Sequence, residues 1–410
     1  MSSVEKNTLP EGWKTVKLDE IGSFHRGITY KKPQLLESYE EGCITLLRAN
    51  NIQNGLYLDD FQYLPNGFVK DDKLTKSGDI FLAMSSGSKH LVGKNAVLPS
   101  LSNYTFGAFC SVYRLDQVEQ SPFVSMFFQS HYYKKIISNL FRGAGINNLR
   151  SSDLDEVSIP IPPIEEQKRI VAKIDTLFAK IDKAISLTEE SLKQANNLLP
   201  SVLNEVFEGF ECDSNSYKLK DICELITDGS HFSPKTIDSG LPYVTVRDVS
   251  WGGEIDLINC ARISVDDFEK LKKGNCAPKS GDILYSKDGT VGKIAIVDQE
   301  KEFVVLSSLA IIRPTKRLAS TFLMYSMMSP KFYDFALSSK TGAAIKRIVL
   351  KTIKEFEIAL PDIKTQLDTV NSLDEFSQYS KQTQSKLEEQ LAYLKQLKSS
   401  ILSKAFKGEL

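Results

Sequence analysis

The sequence predicts an α+β protein with two tandem globular domains, each a mixed β-sheet with peripheral helices and each followed by a long helix. Three observations support this prediction. The second half of the 410-residue chain repeats the first at a shift of about 199 residues, each half has short β-rich segments, and each half ends in a helical heptad pattern. A chain of this length also exceeds what one hydrophobic core normally serves.

The internal repeat is carried by short matches that keep their order. The segment Ser121-Pro122-Phe123 matches Ser320-Thr321-Phe322, KSGDI at 76–80 recurs at 279–283, and VGK at 92–94 recurs at 291–293. The segments between these matches differ in length, as surface loops do. Because loops carry specificity on a rigid scaffold, the duplication predicts two related binding domains with different targets.

The globular domains are expected at 11–160 and 211–360. Ser121, with Pro122 at the first helical position, suits a helix N-cap, and this helix is expected to run towards Phe141. Ser320 is expected to start the equivalent helix. Runs of alternating or β-branched residues bounded by turn residues predict strands. In the two copies these runs cover 44–48, 79–83, 109–115 and 157–161, and 243–247, 282–285, 303–312 and 356–360.

Each domain is followed by a segment, 161–210 or 361–410, with a single apolar stripe. Such a stripe predicts a helix of roughly 60 Å that is unstable alone, so the two are expected to pair as an antiparallel coiled coil about a pseudo-twofold axis. The alternative is a helix packed on its own domain, and Pro200 is expected to kink or interrupt the first helix. The predicted seam residues are Ile170, Ile174, Leu177, Ile181, Ala184, Thr188, Ala195, Leu198, Val202, Leu373, Phe376, Thr383, Leu387, Leu394, Leu397 and Ile401.

Composition is that of an ordinary folded protein, with 41% hydrophobic residues, 25% charged residues and a formal net charge of -1. No apolar run has the length of a transmembrane helix, and the N-terminal residues lack the features of a secretion signal, so a cytoplasmic protein is expected. Six cysteines occur without a C-x-x-C pair. Their spacing predicts buried, reduced thiols instead of a zinc site or disulfides.

The sequence carries no recognisable catalytic motif. The glycine turns at Gly93-Lys94 and Gly292-Lys293 lack the spacing of a phosphate-binding loop, and Ile161-Pro162-Pro163-Ile164 lacks both ends of an amino-methyltransferase motif. The four histidines show no metal-ligand spacing, and no serine lies in a G-x-S-x-G sequence. We therefore expect a non-catalytic chain that holds no metal.

Positive charge is concentrated locally although the whole chain is nearly neutral. No acidic residue lies between Glu119 and Asp153 or between Asp334 and Glu355, and both segments are basic. Such segments suit phosphate contacts, whereas base choice needs polar side chains on loops, and the alternative for each candidate is an ordinary solvated loop residue. The candidate DNA-contacting residues are Arg26, Tyr30, Lys31, Lys32, Arg48, Asn50, Asn51, Ser86, Lys89, His90, Arg142, Asn147 and Arg150, followed in the second copy by Asp228, His231, Lys235, Arg247, Asp248, Ser286, Lys287, Lys340, Lys346 and Arg347.

Three sets of motifs together point to a known family. They are the opening Leu9-Pro10-Glu11-Gly12-Trp13, the paired KSGDI and VGK sequences, and the string IPIPPIEEQKRI at 159–170, which recurs in degenerate form at 358–366. With these motifs the chain resembles the specificity (S) subunit of type I restriction-modification systems over nearly its whole length.

The resemblance implies two target recognition domains that each bind one half of a split, asymmetric double-stranded DNA site, held apart by the helix pair. It also implies two modification subunits, which use S-adenosylmethionine to methylate adenine, and restriction or motor subunits that need ATP with Mg. No cofactor is then expected on this chain. Two alternatives remain open: a non-catalytic protein-interaction scaffold, and a specificity subunit of a related system with a fused methylase-nuclease partner.

Overall fold

The computed structural model describes residues 9–53, 55–86, 91–140, 149–213, 215–298, 301–338 and 348–410. The chain divides into two compact units, Met1–Thr188 with Gln390–Leu410, and Glu189–Glu389. The two boundaries between these units, at 188/189 and 389/390, both lie inside long helices. Each unit therefore contains one globular domain and the adjoining part of each long helix.

The first unit contains three small sheets. A four-stranded antiparallel sheet has the order β2-β8-β5-β6, a three-stranded sheet has the order β4-β3-β7 with β3 and β7 parallel, and β1 pairs with β9. The β1–β9 pair joins the start of the domain to the residues just before the first long helix. The strands are β1 (Lys14–Lys17), β2 (Gly22–Arg26), β3 (Ile44–Leu47), β4 (Gln62–Leu64), β5 (Ile80–Ala83), β6 (Asn95–Val97), β7 (Tyr104–Phe106), β8 (Cys110–Leu115) and β9 (Ser158–Ile161).

The second unit repeats this topology strand for strand. Its sheets have the orders β11-β17-β14-β15, β13-β12-β16 and β10-β18, and β12 and β16 are the parallel pair. The predicted duplication is therefore present in the fold as well as in the sequence. The strands are β10 (Ser216–Lys218), β11 (Cys223–Asp228), β12 (Leu241–Val244), β13 (Ala261–Ile263), β14 (Ile283–Ser286), β15 (Ile294–Ile296), β16 (Val304–Val305), β17 (Leu309–Pro314) and β18 (Glu357–Ala359).

The helices pack beside the sheets and continue beyond each domain. The α+β prediction is confirmed, and helix α6 is an element that the sequence analysis did not predict. The helices are α1 (Ser121–Gln129), α2 (His131–Leu140), α3 (Ser151–Asp155), α4 (Ile164–Asp213), α5 (Leu219–Ile222), α6 (Val265–Lys273), α7 (Ser320–Met328), α8 (Pro330–Ser338), α9 (Leu350–Glu355) and α10 (Ile363–Ala405).

The single helix expected from Ser121 towards Phe141 is wrong, because two helices occupy this stretch. Ser130 is extended, with φ -68° and ψ 156°, and its hydroxyl oxygen accepts a hydrogen bond from the Tyr133 amide. Ser329 makes the same break before α8 in the second domain, where the Phe332 amide donates to its hydroxyl. A serine that caps a new helix offers the backbone an alternative to continuing the old one.

The structure differs from the predicted elements at two further places. Ser121 is not the N-cap of α1, because it is already helical and a 3₁₀ turn over Val118–Gln120 precedes it. The strand expected at 303–312 is two strands, β16 and β17, separated by a turn in which the Leu309 amide donates to the Leu306 carbonyl oxygen. The turn lets β16 pair with β12 while β17 joins the four-stranded sheet.

The two long helices contain 50 and 43 residues. Helix α4 continues through Pro200, so Pro200 does not interrupt it, and the alternative prediction of a kink stays a prediction. Proline in a helix interior costs about 3 kcal/mol or more. Burial of Leu203 and Phe207 in the core of the second unit offsets this cost, since each such side chain contributes about 1.5–3 kcal/mol.

The helices run antiparallel, as predicted. In the first unit Lys398 donates to Asp182 at 2.6 Å and Lys173 donates to the Leu410 carbonyl oxygen at 2.7 Å, so numbers rise along one helix as they fall along the other. In the second unit the Gln384 amide donates to the Ala195 carbonyl oxygen at 3.2 Å. The Lys398–Asp182 and Gln384–Ala195 bonds are direct contacts between α4 and α10, whereas Leu410 lies beyond the end of α10.

The apolar stripe contacts both the partner helix and the adjacent domain. Ile170, Ile174 and Ile181 are buried in one cluster with α1 and β9, and Leu394 and Leu397 pack against the same cluster. The two explanations of the stripe are therefore both partly right. Of the other predicted seam residues, Leu373 is buried, Leu177, Phe376 and Leu387 are half-buried, and Leu198 is exposed. Its neighbours Leu199 and Leu203 pack in the core cluster of the second unit instead.

Candidate nucleic-acid interface

The repeated KSGDI sequence builds a buried ion pair in each domain. Asp79 accepts two hydrogen bonds from the Arg114 guanidinium, at 2.7 and 2.6 Å, and a third from the Lys76 amide at 2.8 Å. Gly78 has φ +83°, a conformation that favours glycine. The motif therefore fixes the turn before the central strand β5, and the sequence analysis missed the arginine partner.

The second domain reproduces this arrangement. Arg313 donates to both oxygens of Asp282 at 2.7 Å, and the Lys279 amide donates to the same carboxylate at 2.8 Å. The hydrogen bond to Asp282 raises the pKa of the Arg313 guanidinium. The same ion pair therefore fixes the turn before the equivalent strand, β14.

Four candidates of the first domain lie on or after β2. Arg26 is exposed at the end of the strand, and Lys31 and Lys32 are exposed in the following turn. Tyr30 is half-buried, with its hydroxyl 3.2 Å from the Gln62 amide oxygen. Beside them, burial and then the charge of Arg114 lower the pKa of His25, a residue that sequence reasoning did not single out.

Arg48, Asn50 and Asn51 form one polar cluster with an acidic turn. Arg48 donates to the carbonyl oxygen and carboxylate of Asp60, at 2.7 and 3.2 Å, and the Asn50 amide donates to the same carboxylate at 2.7 Å. Asn51 is buried and donates to the carbonyl oxygens of Tyr57 and Asp59. Because its amide group is already bonded within the domain, Asn51 has a structural role, whereas Asn50 stays on the surface.

Asp228, His231 and Lys287 come together in the second domain. The His231 Nε2 atom lies 3.3 Å from one Asp228 oxygen, and the Lys287 Nζ atom lies 3.2 Å from the other. Lys287 also lies 3.1 Å from Asp288. The His231 side chain is 68% exposed but that of Lys287 only 1%, so Lys287 cannot contact DNA directly in this conformation.

The other candidates of the second domain divide into buried and exposed residues. Ser286 is buried, and its hydroxyl oxygen accepts from the Lys293 amide at 2.7 Å, so it too holds the local frame. Asp248 is half-buried and caps a 3₁₀ turn by accepting from the Thr245 amide at 2.7 Å. Lys235 and Arg247 are exposed, as loop residues that contact a ligand must be.

The remaining candidates adjoin stretches that the structure does not describe. Ser86 is half-buried at the end of a described stretch, and Arg150 is exposed just before α3. The candidates outside the described residues are Lys89, His90, Arg142, Asn147, Lys340, Lys346 and Arg347.

The described residues contain neither a metal-binding cluster nor a membrane-spanning helix. Among them, no group of three or more histidine, cysteine, aspartate or glutamate side chains is placed to hold a metal ion. Over the same stretches, no helix is both long and apolar enough to cross a membrane.

Cys110 and Cys223 have thiol pKa values raised to about 12 by burial, which makes them unreactive at neutral pH.

Comparison with known proteins agrees with the fold and with the paired domains. The family model for the type I restriction modification DNA specificity domain matches residues 10–194 and again 212–392. The EcoKI specificity subunit of Escherichia coli K12 is 30% identical, over 98% of this chain and 90% of that protein. The StySPI specificity subunit of Salmonella potsdam is 29% identical, over 99% and 91%.

Two solved structures share the fold. A chain from a structure described as the basis of "complex assembly and conformational transition of the type I R-M system" has a TM-score of 0.79, with 22% identity and coverage of 98% of this chain and 100% of that one. The HsdS subunit of Thermoanaerobacter tengcongensis has a TM-score of 0.59, with 22% identity and 98% coverage of both chains. With two family domains along its length, this chain belongs to the type I restriction-modification DNA specificity family, as a non-catalytic DNA-recognition subunit.

Proposed function

We propose that the chain recognises a bipartite, asymmetric site on double-stranded DNA, with one half-site bound by each domain. One observation carries this proposal: the two domains share every strand order but present different side chains at equivalent surface positions. Asn50 is exposed in the 3₁₀ turn after β3, where the second domain has Arg247 after β12. Different polar groups on one frame suit different base sequences.

The paired helices α4 and α10 are proposed to set the distance between the half-sites. Recognition elements that bind one face of a duplex are spaced by about one helical turn, roughly 34–36 Å between centres. The same helices are proposed to bind two methyltransferase subunits, to which restriction or motor subunits add. The exposed face of α10 includes Tyr379 and Tyr393, aromatic residues of the kind enriched at protein interfaces.

The cofactors of the complex are proposed to lie on those partner subunits. S-adenosylmethionine would be bound by the methyltransferase subunits, and ATP with Mg by the restriction subunits. We place the assembly in the cytoplasm, where its DNA substrate is. The chain's own contribution is then the choice of sequence and the placement of its partners on it.

Sequencing of methylated adenines in the host genome, together with footprinting of the purified complex, tests the site. We expect two different short sequences separated by unspecified base pairs. A continuous site or a perfect palindrome would refute the proposal.

Salt-dependent DNA binding tests the contacts of the basic segments. Alanine at Arg142, Lys346 and Arg347 is expected to weaken binding and to reduce the slope of log affinity against log salt by roughly one for each lost phosphate contact. Lys168→Ala, at an exposed site at the start of α4, is the control and should leave the slope unchanged. An unaltered slope in the triple variant would instead favour a scaffold that does not use these residues on DNA.

A further inference from the structure

The second domain contains a buried lysine at a position where the first domain has an apolar residue. Lys287 is buried, with its Nζ atom 3.2 Å from Asp228 and 3.1 Å from Asp288. Removing an ammonium group from water is strongly unfavourable unless carboxylates compensate it. The two aspartates supply that compensation, so the three charges depend on one another.

The first domain has methionine at the equivalent position. The Met84 amide donates to the Phe109 carbonyl oxygen at 2.9 Å, as the Lys287 amide does to that of Ser308. The Leu149 amide donates to the Met84 carbonyl oxygen at 2.8 Å, and Ile348 repeats this bond to Lys287 at 2.9 Å. Because Met84 occupies the same backbone frame and is buried, an apolar side chain satisfies this position structurally.

Asp228 lies at a second position where the two domains have the same backbone but different side chains. It ends β11 and precedes Gly229, whereas Arg26 ends β2 and precedes Gly27. A Cβ at either glycine would collide with backbone carbonyl oxygens, those of Leu306 for Gly229 and of Gly107 for Gly27. The backbone is therefore held at the same point in both domains, while the side chain before the glycine changes from cationic to anionic.

The cluster is hydrogen-bonded to the residue that follows, in the sequence, a segment proposed to contact DNA. Ile348, which is hydrogen-bonded to Lys287, follows Lys346 and Arg347 directly in the chain. On the solvent side, the exposed His231 imidazole lies 3.3 Å from Asp228. A carboxylate accepts hydrogen bonds from base amino groups, and an imidazole can bond to other base-edge atoms.

We propose that Asp228 and His231 determine the base preference of the half-site bound by the second domain, and that Lys287 is the positioning residue that fixes the Asp228 carboxylate. The inference rests on the proposed function, since it assigns residues to one of its two half-sites. Arg26 occupies the equivalent position in the first domain. At this position a cationic side chain therefore contacts one half-site and an anionic side chain contacts the other.

The test uses the full chain assembled with its methyltransferase subunits. The complex methylates a DNA library in which both half-sites are randomised, and the methylated sequences are determined. The variants are Asp228→Asn, His231→Gln and Lys287→Met, the last of which introduces the first domain's residue. Lys272→Gln removes an exposed ion pair with Glu302 elsewhere in the same domain and serves as the control.

We expect Asp228→Asn and Lys287→Met to lower discrimination roughly tenfold or more at the same base pair, the scale of one good base contact. His231→Gln should alter that base pair or its neighbour, and the other half-site should keep its preference. Thermal unfolding of each variant distinguishes a loss of base discrimination from a loss of the fold. A merely structural Lys287 would lower the unfolding temperature with an unchanged base profile.

Folded variants that keep the wild-type profile, or that lose preference equally in both half-sites, would overturn the inference. A wild-type complex that showed no bipartite preference would overturn the proposed function itself. The two failures are therefore distinguished by the wild-type profile.

Discussion

The Gln366 side chain bonds helix α10 to the backbone of Ala319, the residue before helix α7. The Ala319 amide donates to Gln366 Oε1 at 2.8 Å, and Gln366 Nε2 lies 2.9 Å from the carbonyl oxygens of Arg317 and Pro361. Gln167 holds the equivalent place in the first domain, where Nε2 donates to Pro162 at 2.9 Å. Gln366 therefore ties the start of helix α10 to the backbone that precedes α7, whereas the Gln167 bond stays within its own stretch of chain.

Replacing Gln366 with leucine is expected to destabilise the second domain by about 1–3 kcal/mol. Leucine is similar in size to glutamine but leaves the Ala319 amide without its acceptor. A buried polar group without a hydrogen-bond partner lowers the free energy of unfolding by about this amount. Chemical denaturation measures the change. Gln378→Leu, on an exposed part of the same helix, is the control and should stay within about 0.5 kcal/mol of wild type.

Replacing Arg114 or Arg313 with methionine is expected to cost about 3–5 kcal/mol, because each variant leaves a buried aspartate without its cation. Asp79 and Asp282 are both 1% exposed. The exposed pair of Lys168 and Glu165 is the comparison, and Lys168→Met should cost less than about 1 kcal/mol. Equal effects at buried and exposed pairs would contradict this explanation of the KSGDI motif.

Acid should destabilise the second domain partly through Glu355. Hydrogen bonds from Lys218 and then Lys220 lower the pKa of this carboxyl from 4.5 to about 2. Because the pKa of Glu355 is lower in the folded protein than in the unfolded chain, its ionised carboxylate stabilises the fold above pH 4.5. This stabilisation is lost as the pH falls towards about 2. Chemical denaturation measures the free energy of unfolding at pH 5 and at pH 3. The decrease between these pH values should be smaller for Glu355→Gln than for wild type.

The neighbouring variant Glu357→Gln is the control for that experiment and keeps both lysine contacts of Glu355. Direct titration by NMR gives an independent answer. A Glu355 pKa near 4.5 in the folded protein would show that the lysines do not stabilise the carboxylate.

Cys110 should react slowly with thiol reagents in the folded protein. Burial raises its pKa to about 12, so the thiolate fraction at pH 8 is roughly one in ten thousand. Alkylation followed by mass spectrometry should show modification of Cys110 only after denaturant is added. Rapid labelling of the native chain would mean that this part of β8 opens readily.

Sequence patterns were most reliable where one physical requirement dominates. The strands after KSGDI begin within a residue of the predicted positions, because a glycine turn and a buried aspartate precede them. The apolar stripe likewise located both long helices, since a period of three and four residues has few other structural explanations.

Other features depend on tertiary contacts that no local pattern contains. Pro200 lies within an unbroken helix because Leu203 and Phe207 are buried on the second domain. The sequence predicts Lys287 as a loop residue that contacts DNA, yet the residue is buried and paired with Asp228, which is distant in sequence. The base-contacting residues remain predictions for the same reason, since their identity depends on how loops meet DNA.

Shortening both long helices tests whether they set the distance between half-sites. Removing residues 185–191 from α4 and 389–395 from α10 together preserves the heptad phase and shortens each helix by roughly 10 Å. The expected result is a spacer altered by about three base pairs, given a rise of about 3.4 Å per base pair, with both half-site sequences unchanged. Methylation of a library with variable spacer length measures this, and Leu198→Gln, an exposed substitution that leaves the length unchanged, is the control. A changed base preference within either half-site, with the spacer unaltered, would show that the helices do not act as a ruler.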